Sequence, residues 1–183
     1  MGKAYRANWY RVAADSLTGL RLIIAGIILI LAKTEGSEGF TSVSLLCLLG
    51  WTADSLDGHF ARQHGFSGNT WLSKNDRTVD LIMILASWVY LVMAGFVAKW
   101  LAWTYTIGAT LAGLYFHSKL VLLIVESLPV LAIPIISLSY VPNLGYAWIL
   151  WAMIITVLDR KRLKIRIEIL LEDFSHSRQK RVV

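Results

Sequence analysis

Six apolar runs follow one another in this chain, at about 17–32, 40–53, 81–98, 101–115, 120–138 and 144–158, and all but one of the connections between them are short. At roughly 20 apolar residues per membrane crossing, about 120 residues lie in six spans, which leaves loops, two tails and no room for a separate soluble domain. Composition agrees: 56% of the 183 residues are hydrophobic, above the share of about 45–50% usual in soluble domains. The expected fold is an all-α integral membrane protein with six transmembrane helices. It forms a single membrane-embedded domain over residues 1–183, with an interfacial segment at 1–15, a six-helix bundle at 16–158 and a basic cytoplasmic tail at 159–183.

Charge sets the orientation. With the N-terminus in the cytoplasm, the outer side receives only Lys33 and Lys99, while the inner side receives Lys3, Arg6, Arg11, Arg62, Lys74, Arg77, Lys119 and the cluster from Arg160 to Arg166. Both termini are therefore expected inside. Trp9 and Tyr10, among basic residues, suit an amphipathic segment at the headgroup level, and the basic start runs into a retained helix without a cleavage-site pattern. The net charge of +6 suits an anionic lipid surface rather than nucleic acid, because no basic face with interleaved aromatics occurs. The one cysteine, Cys47, lies in an apolar run, which excludes an intrachain disulfide and fits a small core residue.

Carboxylates in membrane helices are costly, about 2.5 to 3.5 kcal/mol each at a helix centre. Four of them gather in one short region: Asp54 and Asp57 at the inner end of the second run, and Asp76 and Asp80 at the inner start of the third. Spacings of three and four keep each pair on one helix face, and a helical hairpin brings the pairs together. Four such charges repel unless divalent cations neutralise them, and an all-oxygen set selects hard ions, Mg²⁺, Mn²⁺ or Ca²⁺.

The stretch from Asp54 to Asp80 resembles the signature of the CDP-alcohol phosphotransferases, D-x-x-D-G-x-x-A-R, then a loop, then G-x-x-x-D-x-x-x-D. All four aspartates match, as do Gly58, Ala61 and Arg62; Leu72 stands where the second glycine falls, with Gly65 and Gly68 out of register. In the first run, Leu17-Thr18-Gly19-Leu20-Arg21 is similar to the L-T-x-x-R of many members, with Ala14-Asp15 in place of the preceding Pro-Asn.

The resemblance implies a phospholipid-biosynthetic transferase that moves a phosphatidyl group from a CDP-linked lipid donor, such as CDP-diacylglycerol, to a small alcohol or alcohol-phosphate acceptor, releasing CMP. Asp54, Asp57, Asp76 and Asp80 would hold one or two Mg²⁺ or Mn²⁺ ions, with Asp80 also the general base. Gly58, Ala61, Arg62, Thr18, Arg21 and Lys119 would contact substrate, and Arg21, His117, Lys119 and Arg160 could form a pocket for a phosphorylated acceptor. A homodimer in a prokaryotic plasma membrane, with its active site on the cytoplasmic face, completes the expectation. Two rivals stand beside it: a divalent-cation transporter, because membrane carboxylates also mark ion pathways, and a weakly active family member acting as a lipid-binding partner.

Overall fold

A computed structural model describes residues 2–63, 75–116 and 119–158. These residues form six helices and no strand: α1 (Gly2–Thr34), α2 (Phe40–Gln63), α3 (Asp76–Met93), α4 (Lys99–Phe116), α5 (Lys119–Tyr140) and α6 (Pro142–Leu158). Helix α2 runs through Asp54 and Asp57 to Gln63, and α3 opens at Asp76, as the spacing of the aspartates predicts. The segment at 1–15 is not a separate element. Its backbone continues into the first apolar run as one helix of 33 residues, about 50 Å at 1.5 Å per residue, which exceeds a hydrocarbon core of about 30 Å. The side chains of Trp9 and Tyr10, the loop at 64–74 and the tail at 159–183 lie outside the described residues.

Helix ends follow local chemistry. Gly36, at φ +57°, turns the chain out of α1, and its N–H donates to the Leu31 carbonyl at 3.2 Å. Gly95, at φ +81°, does the same after α3, since an absent Cβ tolerates the left-handed region. Only Val141 separates α5 from α6, and Pro142 takes the first helical position, where a missing N–H costs nothing.

Helix α1 packs most extensively against α3 and α2, and Ile24, Ile28, Val43, Cys47, Met83 and Leu91 are buried between the helices. At one end, three connections are drawn together by aromatic rings: Phe40 and Phe96 lie 4.7 Å apart, and Phe96 and Tyr140 lie 5.1 Å apart. Tyr90 there donates to the Gly36 carbonyl at 2.8 Å. Because α1, α3 and α5 end where α2, α4 and α6 begin, the opposite end gathers the inner half of α1, the aspartates of α2 and α3, and the start of α5.

The α5–α6 hairpin is joined to α2 by polar groups in apolar surroundings. Trp148 Nε1 donates to Ser44 Oγ at 3.0 Å, and Ser44 and Ser137 share a hydrogen bond of 2.9 Å. These hydrogen bonds give direction to helix contacts that are otherwise apolar. Helix α4 lies at the edge, touching the bundle through α5 and through the Trp88–Tyr105 ring pair at 5.2 Å.

Among the described residues, one helical segment, Asp15–Thr34, is long and apolar enough to cross a membrane by length and composition, whereas the apolar parts Phe40–Leu56, Ser127–Tyr140 and Pro142–Leu158 are shorter. The outer surface is nevertheless apolar. Ile23, Ile30, Trp100, Trp103 and Leu114 are each more than 60% exposed.

The close approach of α5 and α6 gives a stability test. A Cβ on Gly145 would lie 2.6 Å from the Cα of Leu138, a backbone atom that cannot step aside. Gly145→Ala is expected to destabilise the protein by about 1–3 kcal/mol, the usual cost of overpacking. Gly108→Ala, where a Cβ meets nothing within 4 Å, serves as the control in thermal unfolding, and equal melting temperatures for the two variants would refute this packing.

Candidate functional site

Arg21 on α1, Asp54 on α2 and Asp80 on α3 stand 13 to 14 residues from the ring-clustered end of their helices, roughly 20 Å along each axis at 1.5 Å per residue. Equal heights on three mutually packed helices make them meet. Arg21 Nη1 donates to Asp54 Oδ1 at 2.9 Å and also to Asp80 Oδ1. From the other side of the guanidinium, Nη2 donates to Thr18 Oγ1 at 3.3 Å, one turn earlier on the same helix. The Arg21 side chain is 1% exposed, whereas the two carboxylates are each 40% exposed. The cation is thus buried behind its partners, and the carboxylates face outward.

They face a cavity of about 350 Å³ whose lining includes Arg21, Gly50, Trp51, Asp54, Arg77 and Asp80, closed from α5 by Ser127 and Val130. Gly50 lies one turn before Asp54, and a Cβ there would sit 2.6 Å from the Met83 sulfur, so glycine lets that side chain cross between α2 and α3 beneath the cavity. A second cavity, of about 330 Å³, runs between α2, α5 and α6 along Leu131, Pro134, Ile135, Gly145 and Ala152, with an almost wholly apolar lining. Trp51 and Val130 line both cavities. A chamber that carries two carboxylates therefore lies beside an apolar groove, and Trp151, on the wall of the groove, donates from Nε1 to Thr52 Oγ1 at 2.9 Å.

Of the residues expected from sequence, the structure brings Thr18, Arg21, Asp54 and Asp80 together. Thr18, expected to touch substrate, is 2% exposed and lies behind Arg21. Arg21, expected in an open acceptor pocket, is held between two aspartates. Asp57, Gly58, Ala61 and Arg62 continue α2 beyond Asp54, Asp76 opens α3, and Lys119 opens α5; their side chains lie outside the described set, as do His117, Arg160 and Leu72 altogether. Arg77 and Ser127 line the chamber without having been singled out beforehand. Arg77 occupies a variable position of the signature, and Ser127 lies in the fifth run, where no motif marks it.

The described donors can be tested against a divalent ion. Two carboxylate oxygens from different helices converge on one nitrogen, so a single cation position is shared between them, and both groups are open to the chamber. Oxygen donors of this kind suit Mg²⁺ or Mn²⁺. No group of three or more metal-ligating side chains occurs among the described residues, and the full set of four includes Asp57 and Asp76, whose side chains are not described. No protein-family model, curated protein or solved structure matches the chain.

Proposed function

We propose that the chain is a multi-pass membrane enzyme of the CDP-alcohol phosphotransferase type, moving a phosphatidyl group from a CDP-linked lipid to an alcohol acceptor with release of CMP. The observation that carries this reading is the meeting of Arg21, Asp54 and Asp80 at one chamber. These residues come from the two halves of the aspartate signature, which carries the resemblance, and from the L-T-x-x-R of the first helix, which adds a weaker similarity to the same family.

The reaction is balanced as follows. The acceptor hydroxyl oxygen forms a bond to the lipid-bearing phosphorus while the anhydride P–O bond to CMP breaks, and the hydroxyl proton passes to a carboxylate. Asp80 takes that proton, because its carboxylate is open to the chamber and lies on a packed helix. Asp54, Asp57, Asp76 and Asp80 would hold one or two Mg²⁺ or Mn²⁺ ions. The metal supplies charge neutralisation of the diphosphate. Gly58, Ala61 and Arg62 carry the nucleotide side of the site, and Arg77 and Lys119 add positive charge for a phosphorylated acceptor.

Two observations support a lipid donor. The apolar groove joined to the chamber at Trp51 and Val130 suits an acyl chain whose headgroup lies among the carboxylates. The apolar outer surface suits lipid as the surrounding solvent. The transporter reading has less support, since no buried charged side chain among the described residues lies between the chamber and the ring cluster, where Ile28, Val43 and Leu91 pack with the neutral Ser44 and Ser137. The homodimer and the cytoplasmic active site belong to the same proposal.

Purified protein given CDP-diacylglycerol, a mixture of candidate alcohols and Mg²⁺ or Mn²⁺ is expected to release CMP and form a new phospholipid. Asp57→Asn and Asp76→Asn should abolish the reaction. Asp80→Asn should keep donor affinity and lose about 10²–10⁴-fold in turnover at saturating metal and donor. Metal flux in liposomes without CMP release would favour the transporter instead.

The groove gives a separate test. Ala152→Phe, which fills it, is expected to raise KM for a long-chain CDP-lipid by about tenfold, the equivalent of one or two buried methylenes lost, while a short-chain donor is unaffected. Equal effects on both donors would remove the groove from the substrate site.

Topology is tested by labelling. A cysteine at Ser37 should react with an impermeant thiol reagent from outside intact cells, and one at Ser175 should not. The reverse pattern would put the chamber on the wrong face for a cytoplasmic nucleotide.

A further inference from the structure

Arg21 is the one described cation whose side chain is nine-tenths or more buried, and a charge placed so deeply needs a function that outweighs its desolvation. Its partners say what that function is. Asp54 and Asp80 lie on different helices, and two carboxylates facing one chamber repel unless a positive charge lies between them. Arg21 Nη1 supplies that charge from the closed side, while Thr18 holds Nη2 and keeps the guanidinium from swinging away. The oxygens that accept from Nη1, Oδ1 of each aspartate, are the same donors that converge on one cation position.

We propose that Arg21 is a built-in counter-cation that holds Asp54 and Asp80 together in the metal-free protein and competes with a divalent ion for their oxygens. This makes it a positioning residue rather than a substrate contact, and it rests on the reading of the chamber as a metal site. A divalent ion bound at about 2.0–2.2 Å from carboxylate oxygens would lie within a few ångströms of a guanidinium held on those oxygens, where like charges repel strongly in a buried setting. The ion therefore enters at the expense of the Arg21 contacts. The carboxylates stay assembled throughout, because one cation replaces another. The arrangement sets a threshold: the aspartates are preorganised without metal, yet bind it less tightly than a bare carboxylate pair would.

The competition predicts a sign opposite to that of a scaffold. Mn²⁺ is titrated into detergent-purified protein without any substrate, and free Mn²⁺ is read by its paramagnetic resonance. Arg21→Gln, which keeps hydrogen-bonding capacity and loses the charge, is expected to bind Mn²⁺ at least about tenfold more tightly than the native protein. Its melting temperature in chelator should fall below the native value, and the rise on adding Mn²⁺ should be larger, as linkage requires. Arg21→Lys, which keeps the charge, should stay within about threefold of the native affinity. Should Arg21→Gln fail to fold, Thr18→Val serves in its place: it releases Nη2 alone and is expected to tighten Mn²⁺ by about twofold, in keeping with one hydrogen bond lost from the competitor.

Weaker or unchanged Mn²⁺ affinity in the folded variant would overturn the proposal and leave the metal site standing with Arg21 as a scaffold. Absence of Mn²⁺ binding from native protein and variants alike would overturn both this proposal and the metal reading of the chamber.

Discussion

The guanidinium of Arg21, 1% exposed and shared between carboxylates of α2 and α3, is the interaction on which the arrangement of the first three helices depends. Apolar packing alone would let α1, α2 and α3 slide or rotate against one another, since dispersion contacts between aliphatic surfaces are individually weak and nondirectional. A buried charge does not permit that freedom. Moving α2 by one turn would leave Asp54 or Arg21 without its partner in a place where an uncompensated charge costs several kcal/mol. The ion pair thus fixes register, and the surrounding apolar contacts of Ile24, Ile28, Met83 and Leu91 then pack in that register. Arg21 ties the chemistry to the fold because the same two aspartates face the chamber.

The second half of the chain is held differently. Its links to α2 are neutral hydrogen bonds, Trp148 to Ser44 and Trp151 to Thr52, each of the kind that contributes about 0.5–1.5 kcal/mol. Pro129 has no N–H to offer the carbonyl of Val125, and the Tyr105 hydroxyl of α4 donates to that carbonyl instead. A break in the ladder of α5 becomes the attachment point of a neighbouring helix, as a buried carbonyl in apolar surroundings requires some partner.

The helices were legible in the sequence because their signals are local. The spacing of Asp54 and Asp57 announced that α2 outlasts its apolar run, and Asp76 with Asp80 announced where α3 begins. The continuity of the segment at 1–15 with α1 was not legible, because a change of amphipathicity marks a change of surroundings and not whether the backbone breaks. Four aspartates and two motif stretches pointed to the chamber, yet the burial of Arg21 between Asp54 and Asp80 could not be read from them. An arginine near a helix end looks like a phosphate ligand until packing shows how deep it lies and which acids face it. Thr52 and Trp151 are 99 residues apart, and Gly145 matters only through the Leu138 backbone beside it; neither pairing leaves a local trace. The bond from the Tyr105 hydroxyl to the Val125 carbonyl, across 20 residues, is of the same kind.

These two modes of attachment divide the molecule according to what each part must do. In the proposed reading the charges that meet a diphosphate would have to stay fixed to within a fraction of an ångström, and ionic contacts with dense packing in the first three helices suit that demand. An acyl chain in the apolar groove would make no such demand, since alkyl chains are recognised by area and shape, and neutral hydrogen bonds would suffice to hold its walls. Pro134 lines that groove and, having no N–H, gives no ladder bond to Val130, the residue at the junction with the chamber. Substitutions at Leu131, Ile135 and Ala152 can therefore reshape the apolar side at positions that do not line the chamber of Asp54 and Asp80. Changes to α1 lack that freedom, since Thr18 and Arg21 sit within one turn of each other and any displacement of that turn is passed to both carboxylates at once.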